Sequence, residues 1–155
     1  MAEEIREAVE RLNGMLGAMP YKLAFVDPAE VKLLDKNARY MSEDMFRNLV
    51  ENIRRDGALS SMPLCYGGGD GRLLVLSGNH RGQAAVQAGL EGIMVLGIDK
   101  RLTREEQVAV QLSHNAIEGK DDMVVLKALW EEIEDIELKL YAGLDAEVLQ
   151  EMEKV

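Results

Sequence analysis

The apolar positions of this chain follow two periods, and each change of period marks a predicted element. From residue 2 to 19, Ile5, Ala8, Val9, Leu12, Met15, Leu16 and Met19 fall on one helical face, with Glu3, Glu4, Arg6 and Glu10 largely elsewhere. That pattern predicts an amphipathic helix, and Pro20 ends it. Residues 22–26 form a short apolar run that predicts a strand, left through Asp27-Pro28. Residues 31–34 make a second short apolar stretch before the turn-forming Asp35, Lys36 and Asn37. Ser42 then opens a helix whose Met45, Phe46, Leu49, Val50 and Ile53 make a stripe, with Asp56-Gly57 as its stop.

The next stretch changes period halfway. Residues 63–66 and 72–76 flank Gly67, Gly68, Gly69 and Gly71, the composition of a hairpin connection. Residues 73–76 are continuously apolar, as expected of a strand covered on both faces, while Ala84, Ala85, Ala88 and Leu90 take helical spacing. Residues 93–98 read as another buried strand, which makes strand, helix, strand the expected core unit. Thr103 with Glu106 three residues on has the form of a capping box, ahead of inward-facing Val108, Ala109, Val110 and Leu112. From Met123 the spacing of Val124, Val125, Leu126, Leu129, Trp130, Ile133, Ile136 and Leu140 predicts one long acidic amphipathic helix, interrupted at Gly143, with a further short helix after it. The expected fold class is therefore α/β (α+β): a small mixed sheet with packed helices, plus a helical C-terminal subdomain. The expected division is an N-terminal helix over 1–20, a central domain over 21–122 and an acidic helical extension over 123–155.

Composition narrows the chemistry. With 155 residues and 47% hydrophobic content the chain suits one compact domain with a real core. Its net charge of -10 argues against gripping nucleic acid by the general surface, because that affinity comes from lysine and arginine neutralising phosphates. DNA contact is thus expected only indirectly or through a further domain. The single cysteine, Cys65, excludes an internal disulfide framework and falls in a strand, where a buried inert thiol is expected. A cytoplasmic setting and no membrane span are the corresponding expectations. The first helix lies outside the central domain, so its stripe packs on that domain or meets a second subunit to form a homodimer.

The candidate chemistry sits where the period changes, at Ser77-Gly78-Asn79-His80-Arg81. A strand that enters a helix through a glycine-containing turn aims the first free N–H groups of the helix at one spot, where the helix dipole also favours negative charge. Arg81 adds a planar fork of donors suited to phosphate oxygens, and His80 a further donor. From the residues alone, the alternative is an ordinary turn with a cap and solvated first-turn side chains.

The order of Asn37-Ala38-Arg39, the helix ending at Asp56-Gly57, Ser61-Met62-Pro63, Gly78-Asn79-His80-Arg81 with Ala84-Ala85, Ala88-Gly89-Leu90, and His114-Asn115 resembles the ParB N-terminal domain / sulfiredoxin-like superfamily. The resemblance spans residues 22 to 130. ParB proteins carry a Gly-Glu-Arg-Arg box that holds the triphosphate of CTP where this chain has Gly78 to Arg81; sulfiredoxins carry Gly-Cys-His-Arg. Asn79 stands at the position of the reactive cysteine and has no nucleophilic sulfur, which argues against sulfiredoxin activity. The resemblance implies a phosphate site made of Ser77, Gly78, Asn79, His80, Arg81 and Arg39, and a base pocket bordered by Ser61, Met62 and Pro63. It also implies a magnesium ion on the triphosphate, held through Asn115 and Glu118, although His114 replaces the family glutamate and Glu118 the family arginine. The implied function is a CTP-dependent or ATP-dependent switch in a DNA-related process, with slow triphosphate hydrolysis left open. The alternatives are a non-enzymatic interaction module with a decayed pocket and a ParB-like nuclease, for which no convincing carboxylate cluster is visible. The basic helix-turn-helix part of partitioning ParB proteins is not recognisable in these 155 residues.

Overall fold

The structure is a computed structural model that describes all residues except 35, 37–40, 68–71, 116–121, 143 and 145; of Asn115 and Tyr141 only the backbone is described. The chain groups into two compact units, one of residues 1–34 and 42–100, the other of residues 35–41 and 101–155.

The first unit holds α1 (Ala2–Leu16), β1 (Tyr21–Val26), a 3-10 turn (Pro28–Glu30), α2 (Glu43–Asp56), β2 (Leu64–Gly67), β3 (Leu73–Ser77), α3 (Asn79–Ala88) and β4 (Ile93–Ile98). Its four strands form one mixed sheet in the order β1-β4-β2-β3. β4 pairs antiparallel with β1, from Tyr21 opposite Ile98 to Val26 opposite Ile93, and parallel with β2. β2 and β3 form the expected hairpin. β3 and β4 flank α3 in sequence but are not neighbours, because β2 lies between them. The apolar stretch at residues 31–34 is not a full strand: Lys32 alone bridges the outer edge of β3, accepting from Val75 N–H at 2.9 Å and donating to the Leu73 carbonyl at 2.8 Å.

Val75 and Leu76 are both fully buried, which explains why their strand reads as an unbroken apolar run. The core gathers Val31, Cys65, Val75, Ala85, Ile93 and Val95, with a second cluster of Val50, Ile53 and Ala84 between α2 and α3. α2 begins as expected, with the Ser42 hydroxyl accepting from Met45 N–H at 3.2 Å, and ends at Gly57 in the left-handed conformation, φ 70°. Met45, expected in the buried stripe, is exposed. It sits about 100° around the helix from Phe46, outside the arc that faces α3.

The second unit holds α4 (Arg104–Asn115), α5 (Met123–Glu131), α6 (Ile136–Ala142) and α7 (Ala146–Glu153). The capping box is present in both directions: the Thr103 hydroxyl accepts from Glu106 N–H, and a Glu106 carboxylate oxygen accepts from Thr103 N–H, each at 3.1 Å. Val108, Ala109, Leu112, Leu126, Leu129, Ile133, Ala142 and Met152 form its core. Gln111 is the buried polar side chain of the described residues, and it is satisfied by donating to the Lys36 carbonyl at 3.0 Å.

The single long helix expected from Met123 is instead two. Asp135 accepts from the N–H groups of Glu137 and Leu138 and so starts α6 afresh, while one Glu105 carboxylate oxygen accepts from Glu134 N–H at 2.9 Å and Asp135 N–H at 2.6 Å. These carboxylates supply the broken turn with the acceptors that a continuous helix would have provided. The break also turns the stripe. Val124, Ile136 and Leu140, expected inward, are exposed, the last two at 76% each. Among the described residues no helix is long and apolar enough to cross a membrane.

Candidate functional site

The turn between β3 and α3 is held by backbone conformation and by one close contact. Gly78 is the N-cap of α3 with φ 97° and ψ 26°, a region that side-chain-bearing residues rarely adopt. A Cβ built there would lie 3.1 Å from both Cα and Cβ of Pro63. Pro63 is buried, and its carbonyl accepts from Leu96 N–H at 3.0 Å, so the proline is fixed to the sheet. The first helical bond runs from Gly82 N–H to the Gly78 carbonyl at 2.9 Å, which leaves the N–H groups of Asn79, His80 and Arg81 ahead of the helical ladder.

The N-cap Gly78 has no side chain with which to cap α3, and the first turn has no carboxylate of its own. That is unusual in a chain with 28 acidic residues. α1, α2, α4, α6 and α7 each carry acidic residues in the first turn, and α5 is capped by Asp122. The positive end of the α3 dipole thus meets no acidic residue of its own first turn. Arg81 is half-buried and takes part in no hydrogen bond or ion pair among the described residues. His80 and Ser77 are also half-buried. The turn thus gathers the first N–H groups of α3 and the Arg81 side chain on one short segment, donor types that suit an oxyanion.

Asn79 has a different task from its neighbours. Its side-chain oxygen accepts from Leu34 N–H at 2.9 Å, tying the first turn of α3 to the chain just beyond the Lys32 bridge. Leu33 packs next to it, 3.5 Å from where a Cβ of Gly82 would stand. Sequence reasoning missed this strap. The available signal was Gly82, a poor helix former in the middle of a ten-residue helix, which marks a close approach by another segment.

No family model matches the sequence, and no curated protein matches it. Solved structures do match. One is the C-terminally truncated chromosome-partitioning protein ParB from Caulobacter crescentus complexed with CTP-gamma-S, at 15% identity and a TM-score of 0.54, covering 84% of this chain and 76% of that one. Another is a Pnob8-like ParB-N domain, at 16% identity and TM-score 0.55, covering 86% of this chain and 62% of that one. The Caulobacter crescentus protein complexed to the centromeric parS site matches at 15% identity and TM-score 0.54, over 83% of this chain and 69% of that one.

The fold is that of the ParB N-terminal domain.

In this ParB-like fold the expected residues divide into three groups. Ser77, Gly78, Asn79, His80 and Arg81 share the strand-to-helix turn, and Pro63 packs directly on it, so the expected phosphate and base segments meet through Gly78 and Pro63. Ser61 and Met62 precede β2 and are exposed. Arg39 and Glu118 lie outside the described residues, and Asn115 is described only as the last residue of α4. His114, beside it, is exposed in the last turn of that helix. Among the described residues no group of three or more His, Cys, Asp or Glu side chains is placed to hold a metal ion. Cys65 is fully buried, and that burial pushes its thiol up to about 12, which makes it an inert core residue.

Proposed function

We propose that this ParB-like chain binds a nucleoside triphosphate, CTP before ATP, at the N-terminus of α3, and acts as a nucleotide-dependent switch in a DNA-related process. The observation that carries the reading is the start of α3, without a carboxylate in its own first turn and with half-buried Arg81 beside it, in a chain that places carboxylates at its other helix starts. A ParB of the same fold is complexed with CTP-gamma-S. In this reading the N–H groups after Gly78 and the Arg81 guanidinium hold phosphate oxygens, His80 donates to them, and Pro63 with Ser61 and Met62 borders the base. Arg39 as a second phosphate contact rests on the family resemblance alone. Magnesium would enter on the triphosphate with Asn115 and Glu118 as protein ligands, supplying charge neutralisation; this part rests on the family resemblance alone.

Calorimetric titration of the purified chain with CTP, ATP, GTP and UTP, with and without magnesium, tests the reading. Saturable binding to one of them is expected. Arg81→Ala should then lose roughly tenfold to hundredfold in affinity, the value of a charge-assisted bidentate contact, and Arg81→Lys should recover only part of it. Equal affinities for all three proteins would refute the site.

Asn79 favours a second reading, a non-enzymatic interaction module. The residue at the position of the family glutamate or cysteine is engaged in holding Leu34, a structural task. No binding of any of the four nucleotides would select that reading.

A further inference from the structure

α1 carries more apolar surface than its own sheet covers. Asn13 sets the roll of the helix: its amide nitrogen donates to the Leu23 carbonyl at 2.7 Å and its oxygen accepts from Leu23 N–H at 2.9 Å, so one side chain satisfies the free edge of β1. Arg6 Nε reaches the Phe25 carbonyl at 3.4 Å from the same side. With about 100° between successive residues, this roll turns Ile5, Val9 and Leu16 toward the sheet, where they are half-buried. It turns a second line outward. That line is Met1, Ile5, Ala8, Leu12 and Met15, with Met19 just past the helix end, in steps of four and three residues that match a coiled-coil seam. Met1 is 91% exposed, Met15 85%, Met19 49% and Leu12 42%; Ile5 is shared between the two lines.

Charge identifies what fits this seam. One flank is occupied by Val9 and Leu16, which face the sheet. The other flank carries Glu4 and Arg11, two turns apart and of opposite sign, both exposed and neither in an ion pair among the described residues. When two such helices run antiparallel, like flanks face each other, and Glu4 of each copy meets Arg11 of the other. In that register Met1 layers on Leu12 of the second copy and Ile5 on Ala8 of the second copy, each contact occurring twice.

We propose that α1 docks antiparallel on α1 of a second copy of this chain, in a two-fold interface centred between Arg6 and Glu7. The small Ala8 lets the backbones approach. Twelve overlapping residues give only about 18 Å of paired helix, a short contact beside a standard interface of roughly 800 Å² per partner, so the dimer is weak and concentration-dependent.

Sedimentation equilibrium of the full chain from about 10 µM to about 1 mM, near physiological salt, reads the result directly. The mass should rise toward twice that of the chain. Glu4→Arg and Arg11→Glu each place like charges at both symmetric contacts and should weaken the dimer at least about fivefold, while the double swap Glu4→Arg with Arg11→Glu should return to within about twofold of the parent. Met15→Glu lies outside the four layers and should change nothing. Circular dichroism of every variant checks that these exposed changes leave the fold intact. A monomer throughout the range overturns the proposal, as does a dimer indifferent to the charge reversals, or a double variant as weak as the single ones.

Discussion

Gly78→Ala is the substitution whose cost the structure sets most directly, because it can be compared with a glycine of similar conformation and no neighbour. Gly57 has φ 70° and nothing within 4 Å of a Cβ, so alanine there meets only backbone strain of about 1–2 kcal/mol, partly offset by about 0.4–1 kcal/mol from a stiffer unfolded chain. Gly78, at φ 97°, adds a Cβ 3.1 Å from Pro63 Cα and Cβ. Those atoms cannot swing aside, since Pro63 is buried and its carbonyl is bonded to Leu96 N–H in the sheet. Overpacking a fixed neighbour costs about 1–3 kcal/mol, so Gly78→Ala should destabilise by about 2–4 kcal/mol and Gly57→Ala by about 1 kcal/mol or less. Urea unfolding followed by far-ultraviolet circular dichroism measures both. If the two variants differ by under about 0.5 kcal/mol, the Pro63 contact does not constrain the turn, and the reasoning from that close approach fails.

Thr103→Ala removes the hydroxyl that caps Glu106 N–H and should cost about 0.5–2 kcal/mol, read by fluorescence of Trp130, the single tryptophan, which packs on the core of the second unit. Cys65 should resist thiol reagents at pH 8 in the folded protein and react fully in denaturant, and rapid native labelling would contradict its burial. Burial raises this thiol from 9.0 to about 12, so the folded state keeps a proton that the unfolded chain has released; the associated stability is complete below about pH 9 and lost as pH rises toward 12. A pH titration of the unfolding midpoint that shows no fall over that range would refute the assignment. With a net charge of -10 the chain should bind random duplex DNA weakly at physiological salt, and a tight, salt-sensitive complex would show that a local basic site outweighs the overall repulsion.

Much of this was legible in the sequence wherever the determinant was local. Ser42, Gly57, Thr103 with Glu106, and Gly78 each mark an element boundary through chemistry contained in a few residues, and the structure has them at those boundaries. Features decided by distant partners were not. The break between α5 and α6 depends on Glu105, some thirty residues earlier, whose carboxylate takes the N–H groups of Glu134 and Asp135. The apolar spacing continued through that break, so periodicity extended the helix across it. Asn79 reads locally as a cap or a ligand, yet its partner is Leu34, a pairing that no sequence spacing encodes. The exposed Ile136 and Leu140 show the same limit, since a stripe specifies a face and not what that face meets.

The sheet order also sets a constraint on how this chain comes off the ribosome. β4 is the last strand to be made, yet it stands between β1 and β2 and pairs with both. Until Ile98 has emerged, β1 and the β2–β3 hairpin have no common partner, and at roughly 5 to 20 residues per second the first strand waits several seconds for its mate. The Leu23 backbone groups on the other border of β1, by contrast, are bonded by Asn13, only ten residues away in the chain. The N-terminal helix is therefore placed, in sequence as well as in space, to cover one border of β1 before the segment that fills the other has been made.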